Sequence, residues 1–155
     1  MPHAIRLATP ADAPRLAQLR YDFRAGQDAS TEDAAAFVER CSAWMSLHLA
    51  PGGGWRCWVA EVDQRIVGTT WLHLIEKLPN PQTEAERHGY VSNVFVVPEL
   101  RGRGTGAALL ATCIAACRED GCDAVVLWPT RASRSLYARH GFAVRQDLME
   151  LRPVR

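Results

Sequence analysis

The sequence predicts an α/β fold, with one mixed sheet flanked by helices in the order β-α-α-β-β-β-α-β-α-β. Segments with alternating or continuous apolar residues at strand length are separated by segments in which apolar residues recur at helical spacing. In addition, a glycine-rich stretch at residues 101–107 follows a predicted strand and precedes a predicted helix. The length of 155 residues suits a single domain, which we expect to span residues 1–155.

The first half of the chain is expected to hold one strand, two helices and a hairpin. Thr9-Pro10-Ala11-Asp12 is a helix-start signal, because a capping residue is followed by proline. Near Ser30–Asp33, a capping hydroxyl meets acidic residues that suit a helix N-terminus. Pro51–Gly54 breaks the chain before two β-rich segments. The predicted elements are a strand at 5–7, a helix from Thr9–Asp12 to Gly26, a helix from Ser30–Asp33 through His48, and strands at 55–62 and 65–75 joined by Asp63-Gln64.

The second half is expected to place a central strand and a parallel crossover after a long polar loop. Ala124–Trp128 is almost wholly apolar, as in strands that are covered on both faces of a sheet. Gly121 and Gly141 each suit the end of a helix. The predicted elements are a loop at 78–88, a strand at 90–97, a helix at 108–117, a strand at 124–128, a helix at 133–140 and a last strand at 142–151.

Composition excludes several classes of protein. The 18 basic and 17 acidic residues give a net charge of +1, so the chain lacks the basic field of nucleic-acid binders. No apolar run approaches the ~18 residues of a membrane span, and we expect no membrane association. The five cysteines are an odd number without CxxC spacing. They indicate reduced thiols in the cytoplasm, with neither a disulfide framework nor a metal site.

The glycine-rich stretch is the strongest functional signal. A helix start carries backbone N–H groups without internal partners and partial positive charge from the helix dipole. Glycines allow an anion to approach this backbone closely, where a Cβ would collide. Arg101 and Arg103 add full charges. Residues 101–107 therefore predict a site for a nucleotide-type pyrophosphate.

Two motifs together resemble the GNAT superfamily of N-acetyltransferases, which use acetyl-CoA, over essentially the whole chain. The stretch 97–107 is similar to the family's pyrophosphate signature at Arg101, Gly104 and Gly106. The stretch 127–142 is similar to a later strand and helix, with Leu136-Tyr137 before Gly141-Phe142. One departure is that many relatives carry an asparagine after that strand, where this chain has Pro129 and Thr130.

The resemblance implies an enzyme that moves an acetyl group to a primary amine by direct attack in a ternary complex. The N–H of Val96, next to a bulge near Asn93, would polarise the acetyl carbonyl, and Tyr137 would be the general acid. The family has no fixed general base, so we select Glu76 and His88 from a group that also contains His73, Glu84 and Glu86. The implied cofactor-binding residues are Phe95, Val96, Val97, Arg101, Gly102, Arg103, Gly104, Thr105, Gly106, Ala107 and Ser133.

Several alternatives stay open at this stage. Gly102-x-Gly104-x-x-Ala107 loosely matches a dinucleotide-binding pattern, but no acidic residue ends the next strand. A non-catalytic acyl-CoA-binding or sensor module could use the same fold, and Tyr137 could be a core residue. The amine substrate and the oligomeric state are open, although dimers are common among GNAT relatives. Four aromatic residues could line a substrate pocket or pack in the core: Tyr21, Phe23, Trp44 and Trp55. One of four arginines could contact the 3′-phosphate of CoA: Arg131, Arg134, Arg139 or Arg145.

Overall fold

A computed structural model describes residues 3–27 and 32–153, and these form a mixed five-stranded sheet with four α-helices. The mixed α/β class predicted from the sequence is confirmed. Ser30 and Thr31, part of the predicted start of the second helix, lie outside the described residues. The strands are β1 Ala4–Leu7, β2 Trp55–Val62, β3 Arg65–Glu76, β4 Arg87–Val96 and β5 Ala124–Val126; the helices are α1 Ala13–Ala25, α2 Ala34–Leu49, α3 Thr105–Glu119 and α4 Arg134–Arg139.

The strands follow one another across the sheet in chain order. β1 to β4 pair antiparallel, whereas β5 pairs parallel with β4. The connection between β4 and β5 therefore crosses over through α3, as parallel neighbours require.

Helices cover both faces of the sheet, as predicted. A Cβ on Gly89 would lie 2.9 Å from the sulfur of Cys117 in α3 and 3.3 Å from Leu72, so Leu72 faces α3. Side chains alternate along a strand, which turns Trp71 to the opposite face, where it meets Trp44 of α2. The face away from α3 is therefore the one that α1 and α2 cover.

Local sequence signals explain where the first two helices begin. The Thr9 N–H donates to the Asp12 carboxylate at 2.7 Å, which completes a capping box around a short 3-10 turn at Pro10–Asp12. α1 starts at Ala13, after this turn and three residues later than a cap at Thr9 alone indicates. Asp33 caps α2 by accepting from the Ala36 N–H at 3.1 Å.

The predicted last strand at 142–151 is wrong. The structure continues after α4 without a strand through residue 153. Val144, Leu148, Met149 and Leu151 are all more than two-thirds exposed, so their side chains find no apolar partner. An alternating pattern specifies a strand only where a neighbouring strand pairs with it and a core covers one face.

The cysteines are packing residues. All five lie in the described part of the chain as free thiols, and Cys57, Cys113 and Cys117 are buried. Burial raises the pKa of Cys57 to about 12 and that of Cys122 to about 11, so both thiols stay protonated at neutral pH. Within residues 3–27 and 32–153, no cluster of His, Cys, Asp and Glu side chains could hold a metal ion. None of the helices described is long and apolar enough to cross a membrane.

Candidate active site

A gap between β4 and β5 forms the centre of the site. The two strands pair only at His88, Gly89 and Tyr90, which lie opposite Ala124 to Val126. β5 then ends, while β4 continues to Val96. The second half of β4 therefore presents a main-chain edge that β5 does not pair.

The bulge expected near Asn93 is present and lies on this open stretch. Thr69 pairs with Phe95 and Trp71 with Ser92, so two residues of β4 oppose Thr70. Asn93 has a φ of 55°, a left-handed conformation that asparagine tolerates better than most residues. A bulge of this kind disrupts the ladder and frees main-chain groups for other partners.

The direction of the β4 amides follows from one hydrogen bond. The Val97 N–H donates to the Val67 carbonyl of the neighbouring strand at 2.9 Å. Because N–H groups alternate in direction along a strand, the N–H of Phe95 also faces β3, and that of Val96 faces the gap. Of the three strand residues selected from the sequence, only Val96 can direct its N–H at a ligand there; the side chains of Phe95 and Val97 are buried.

The glycine loop and the start of α3 border the same gap. Gly102 and Gly104 have φ values of 73° and 83°, and a Cβ on either would meet nothing within 4 Å. Gly104 precedes α3 without a side-chain cap, so no side chain bonds the first N–H groups of the helix. A Cβ on Gly106 would lie 3.7 Å from Val96 and 3.8 Å from Leu136 of α4. The loop thus leaves room for an anion beside the end of β4.

The two loop arginines differ in their contacts. Arg101 donates from Nε to the Val96 carbonyl at 2.9 Å, and its guanidinium lies over the Phe95 ring at 5.5 Å. Arg101 therefore fixes the loop to the end of β4. Arg103 is exposed and makes no hydrogen bond within the described residues. Thr105 is buried at the first turn of α3, and Ala107 follows on the same turn.

Tyr137 and Ser133 lie four residues apart at α4. Tyr137 is 8% exposed, and its ring packs edge-on against Phe142 at 5.7 Å. Ser133 donates to the Thr130 carbonyl at 3.0 Å. Burial raises the pKa of Tyr137 above its ordinary value, so the phenol keeps its proton at neutral pH.

The two residues selected as bases lie far from Val96. Ile75 pairs with His88, and Glu76 pairs with Arg87, so Glu76 and His88 occupy opposite faces of the sheet. His88 is eight residues before Val96, which is about 25 Å at the rise of a strand. The structure does not bring either residue within direct hydrogen-bond reach of an amine beside Val96.

The other acidic and histidine candidates have partners elsewhere. Glu84 accepts from Lys77 at 3.1 Å, and Glu86 accepts from the Asn80 N–H at 3.1 Å. His73 stacks on Trp55 at 4.7 Å and hydrogen-bonds the Gly54 carbonyl at 3.0 Å. Of the four arginines considered for the 3′-phosphate, Arg145 pairs with Asp147.

Aromatic residues line the face that α1 and α2 cover. Trp44 meets Trp55 edge-on at 5.7 Å, and Trp55 meets Tyr90 at 6.1 Å. Phe23 packs on Phe95 at 5.4 Å. Tyr21 packs on Phe37 and does not join this group. Sequence reasoning did not select Arg20 or Trp71, which lie on the same face, because no local motif marks them.

Comparison with known proteins agrees with this geometry. Residues 16–142 match the model of the acetyltransferase (GNAT) family. The chain is 32% identical over 118 residues to aminoglycoside N(6′)-acetyltransferase type 1 of Stenotrophomonas maltophilia, covering 76% of this chain and 69% of that protein.

Two solved structures share the fold. A GCN5-related N-acetyltransferase from Ralstonia eutropha has a TM-score of 0.76 and 29% identity, covering 99% of both chains. An acetyltransferase from Clostridium acetobutylicum, solved with acetyl-CoA, has a TM-score of 0.82 and 20% identity, covering 97% of this chain and 96% of that chain. The family match over most of the chain identifies it as an acyltransferase enzyme that belongs to the GNAT family of acetyltransferases.

Proposed function

We propose that the protein transfers the acetyl group of acetyl-CoA to a primary amine within a ternary complex. The observation that carries the proposal is the open edge of β4 at Val96, because Gly106, at the start of α3, lies beside both Val96 and Leu136 of α4, the neighbour of Tyr137. Family membership makes acetyl-CoA the co-substrate in general terms.

Each part of the site supports one requirement of the reaction. The N–H groups at the start of α3, together with Arg103, suit the pyrophosphate. The Val96 N–H would donate to the acetyl carbonyl oxygen, where one fixed donor contributes about 3 kcal/mol to transition-state stabilisation. Ser133 would act by holding the turn that precedes α4, since its hydroxyl already pairs with Thr130.

The bond changes balance without a covalent enzyme intermediate. The amine nitrogen attacks the acetyl carbon, a C–N bond forms, and the C–S bond of the thioester breaks. Tyr137 would give its proton to the leaving thiolate, and the proton lost by the amine would pass to solvent water, because His88 and Glu76 lie too far from Val96 to accept it directly. The raised pKa values of the Cys41 and Cys57 thiols argue against an acyl-cysteine route.

Thiol release from acetyl-CoA in the presence of a panel of amines tests the proposal. The panel should include aminoglycosides, since a relative carries that name, with amino acids and simple alkylamines. Acetylation of any amine excludes the alternative of a non-catalytic acyl-CoA sensor. A stoichiometric burst of acetylated protein in rapid-quench experiments would contradict direct transfer.

A further inference from the structure

A partly buried cation on α1 lies beside the proposed acetyl site. Arg20 of α1 is half-buried and donates to the Asn93 side-chain oxygen at 3.2 Å. No carboxylate within the described residues contacts its guanidinium, and burial lowers the pKa of Arg20. Removing a guanidinium from water without an opposite charge is unfavourable. This indicates that an anionic group of a ligand pairs with Arg20.

Two further donors around the bulge lack partners within residues 3–27 and 32–153. The indole N–H of Trp71, a residue only 3% exposed, has no hydrogen-bond partner in the described structure, and neither has the side-chain NH2 of Asn93. Trp71 pairs across the sheet with Ser92, the residue before the bulge at Asn93. Buried donors are rarely left unsatisfied in native proteins. These N–H groups around the bulge therefore favour a ligand that supplies hydrogen-bond acceptors.

Aromatic rings surround these donors. Trp44, Trp55 and Trp71 contact one another at centroid distances of 5.7 to 6.3 Å, and Tyr90 extends the group to Trp128 at 5.3 Å. Trp44 is 41% exposed and Trp128 is 63% exposed, so part of this aromatic wall is open to solvent. Exposed rings of this size favour a flat apolar group.

We propose that the acceptor is an amine that also carries a carboxylate and a ring-sized apolar group, as an aromatic amino acid does. This inference rests on the proposed function and names its substrate class. The carboxylate would pair with Arg20 and accept from Trp71 and Asn93, while the ring would pack on the aromatic wall. The Arg20 guanidinium, which no carboxylate of residues 3–27 or 32–153 contacts, matches one carboxylate in charge, and its planar fork suits a two-oxygen acceptor. The bulge places these groups next to Val96 along β4.

Matched substrates test the carboxylate directly. Thiol release is measured with phenylalanine, phenylalaninamide and 2-phenylethylamine, which differ at the carboxylate. We expect kcat/KM for phenylalanine to exceed both others by about 10- to 100-fold, the range for a hydrogen bond to a charged group. Equal values, or acetylation of aminoglycosides without acetylation of phenylalanine, would overturn the inference.

A binding measurement separates this inference from the proposed function. Quenching of tryptophan fluorescence is followed with 3-phenylpropionate and with its amide, neither of which can be acetylated. Tighter binding of the acid supports the inference even if acetyl-CoA fails to bind, whereas failure of acetyl-CoA alone refutes the proposed function. Equal binding of acid and amide refutes the inference alone.

Two variants on α1 test whether Arg20 causes the preference for the acid over the amide. Arg20→Gln should remove the preference for the acid and leave the affinity for acetyl-CoA unchanged. Arg24→Gln, one turn away at an exposed position, is the matched control and should keep the preference. Loss of the preference in both variants, or in neither, would contradict the role of Arg20. Thermal unfolding of each variant checks that it is folded.

Discussion

Replacement of Tyr137 by phenylalanine removes one proton donor and little else. The ring stays buried against Phe142, and Ser133 keeps its hydrogen bonds to Thr130. Loss of the buried hydroxyl should lower the free energy of unfolding by about 1 kcal/mol, or roughly 2–4 °C in Tm for a domain of this size. A general acid contributes about 10²- to 10⁴-fold to rate, which is about 3–5 kcal/mol of transition-state energy. The catalytic loss should therefore far exceed the stability loss.

Steady-state thiol release gives kcat for this variant, and calorimetry gives its affinity for acetyl-CoA. We expect kcat to fall by at least about 100-fold while the dissociation constant changes by less than about 2-fold, since 2-fold is only about 0.4 kcal/mol. Tyr21→Phe is a matched control, because the Tyr21 ring packs on Phe37 and not on Phe142 beside Tyr137. An unchanged kcat in Tyr137→Phe would refute the general-acid role. A joint loss of affinity, kcat and Tm would make Tyr137 a structural residue.

Two further predictions concern the loop and the fold. Gly106→Ala should be tolerated, because its Cβ would make ordinary contacts with Val96 and Leu136. Gly106→Glu should abolish acetyl-CoA binding through charge and bulk. Calorimetry measures the affinity of both variants for acetyl-CoA, and equal affinities would contradict this prediction. Asp12 pairs with Arg6 at 2.9 Å, which lowers its pKa to about 2. Its stabilisation is present above the unfolded pKa of about 4 and is lost toward pH 2. In urea unfolding, the free energy of unfolding of Asp12→Asn should be lower than that of the parent protein at pH 7, and the two values should converge toward pH 2. A difference that does not shrink as the pH falls would contradict the pairing of Asp12 with Arg6.

The elements that the sequence predicts best are those with strong local signals. β2 has the predicted bounds, because β-rich alternation is enclosed by Pro51–Gly54 and by the turn at Asp63-Gln64. The glycine loop lies where predicted, since glycine with positive φ is a local feature, and α3 contains the predicted helix at 108–117 but begins three residues earlier, at Thr105. The segment 142–151 shows the limit of such patterns, because alternation alone cannot supply a neighbouring strand.

The arrangement of the candidate site depends on tertiary structure that no local pattern contains. The direction of the Val96 N–H follows from the register between β3 and β4. The sequence predicts His88 in the loop at 78–88, whereas β4 begins at Arg87 and places His88 on the strand, eight residues before Val96. Arg20 comes to Asn93 from a helix 73 residues away in sequence. Residue types and spacing therefore predict the cofactor loop, whereas the acceptor side requires the folded chain.

Calorimetric titration with acetyl-CoA, with NADH as the control ligand, tests the central claim most directly. The open edge at Val96 and the glycine loop predict micromolar binding of acetyl-CoA and no heat of binding with NADH. Absence of acetyl-CoA binding to the folded protein would contradict the account, because the glycine loop would then be only a turn between β4 and α3.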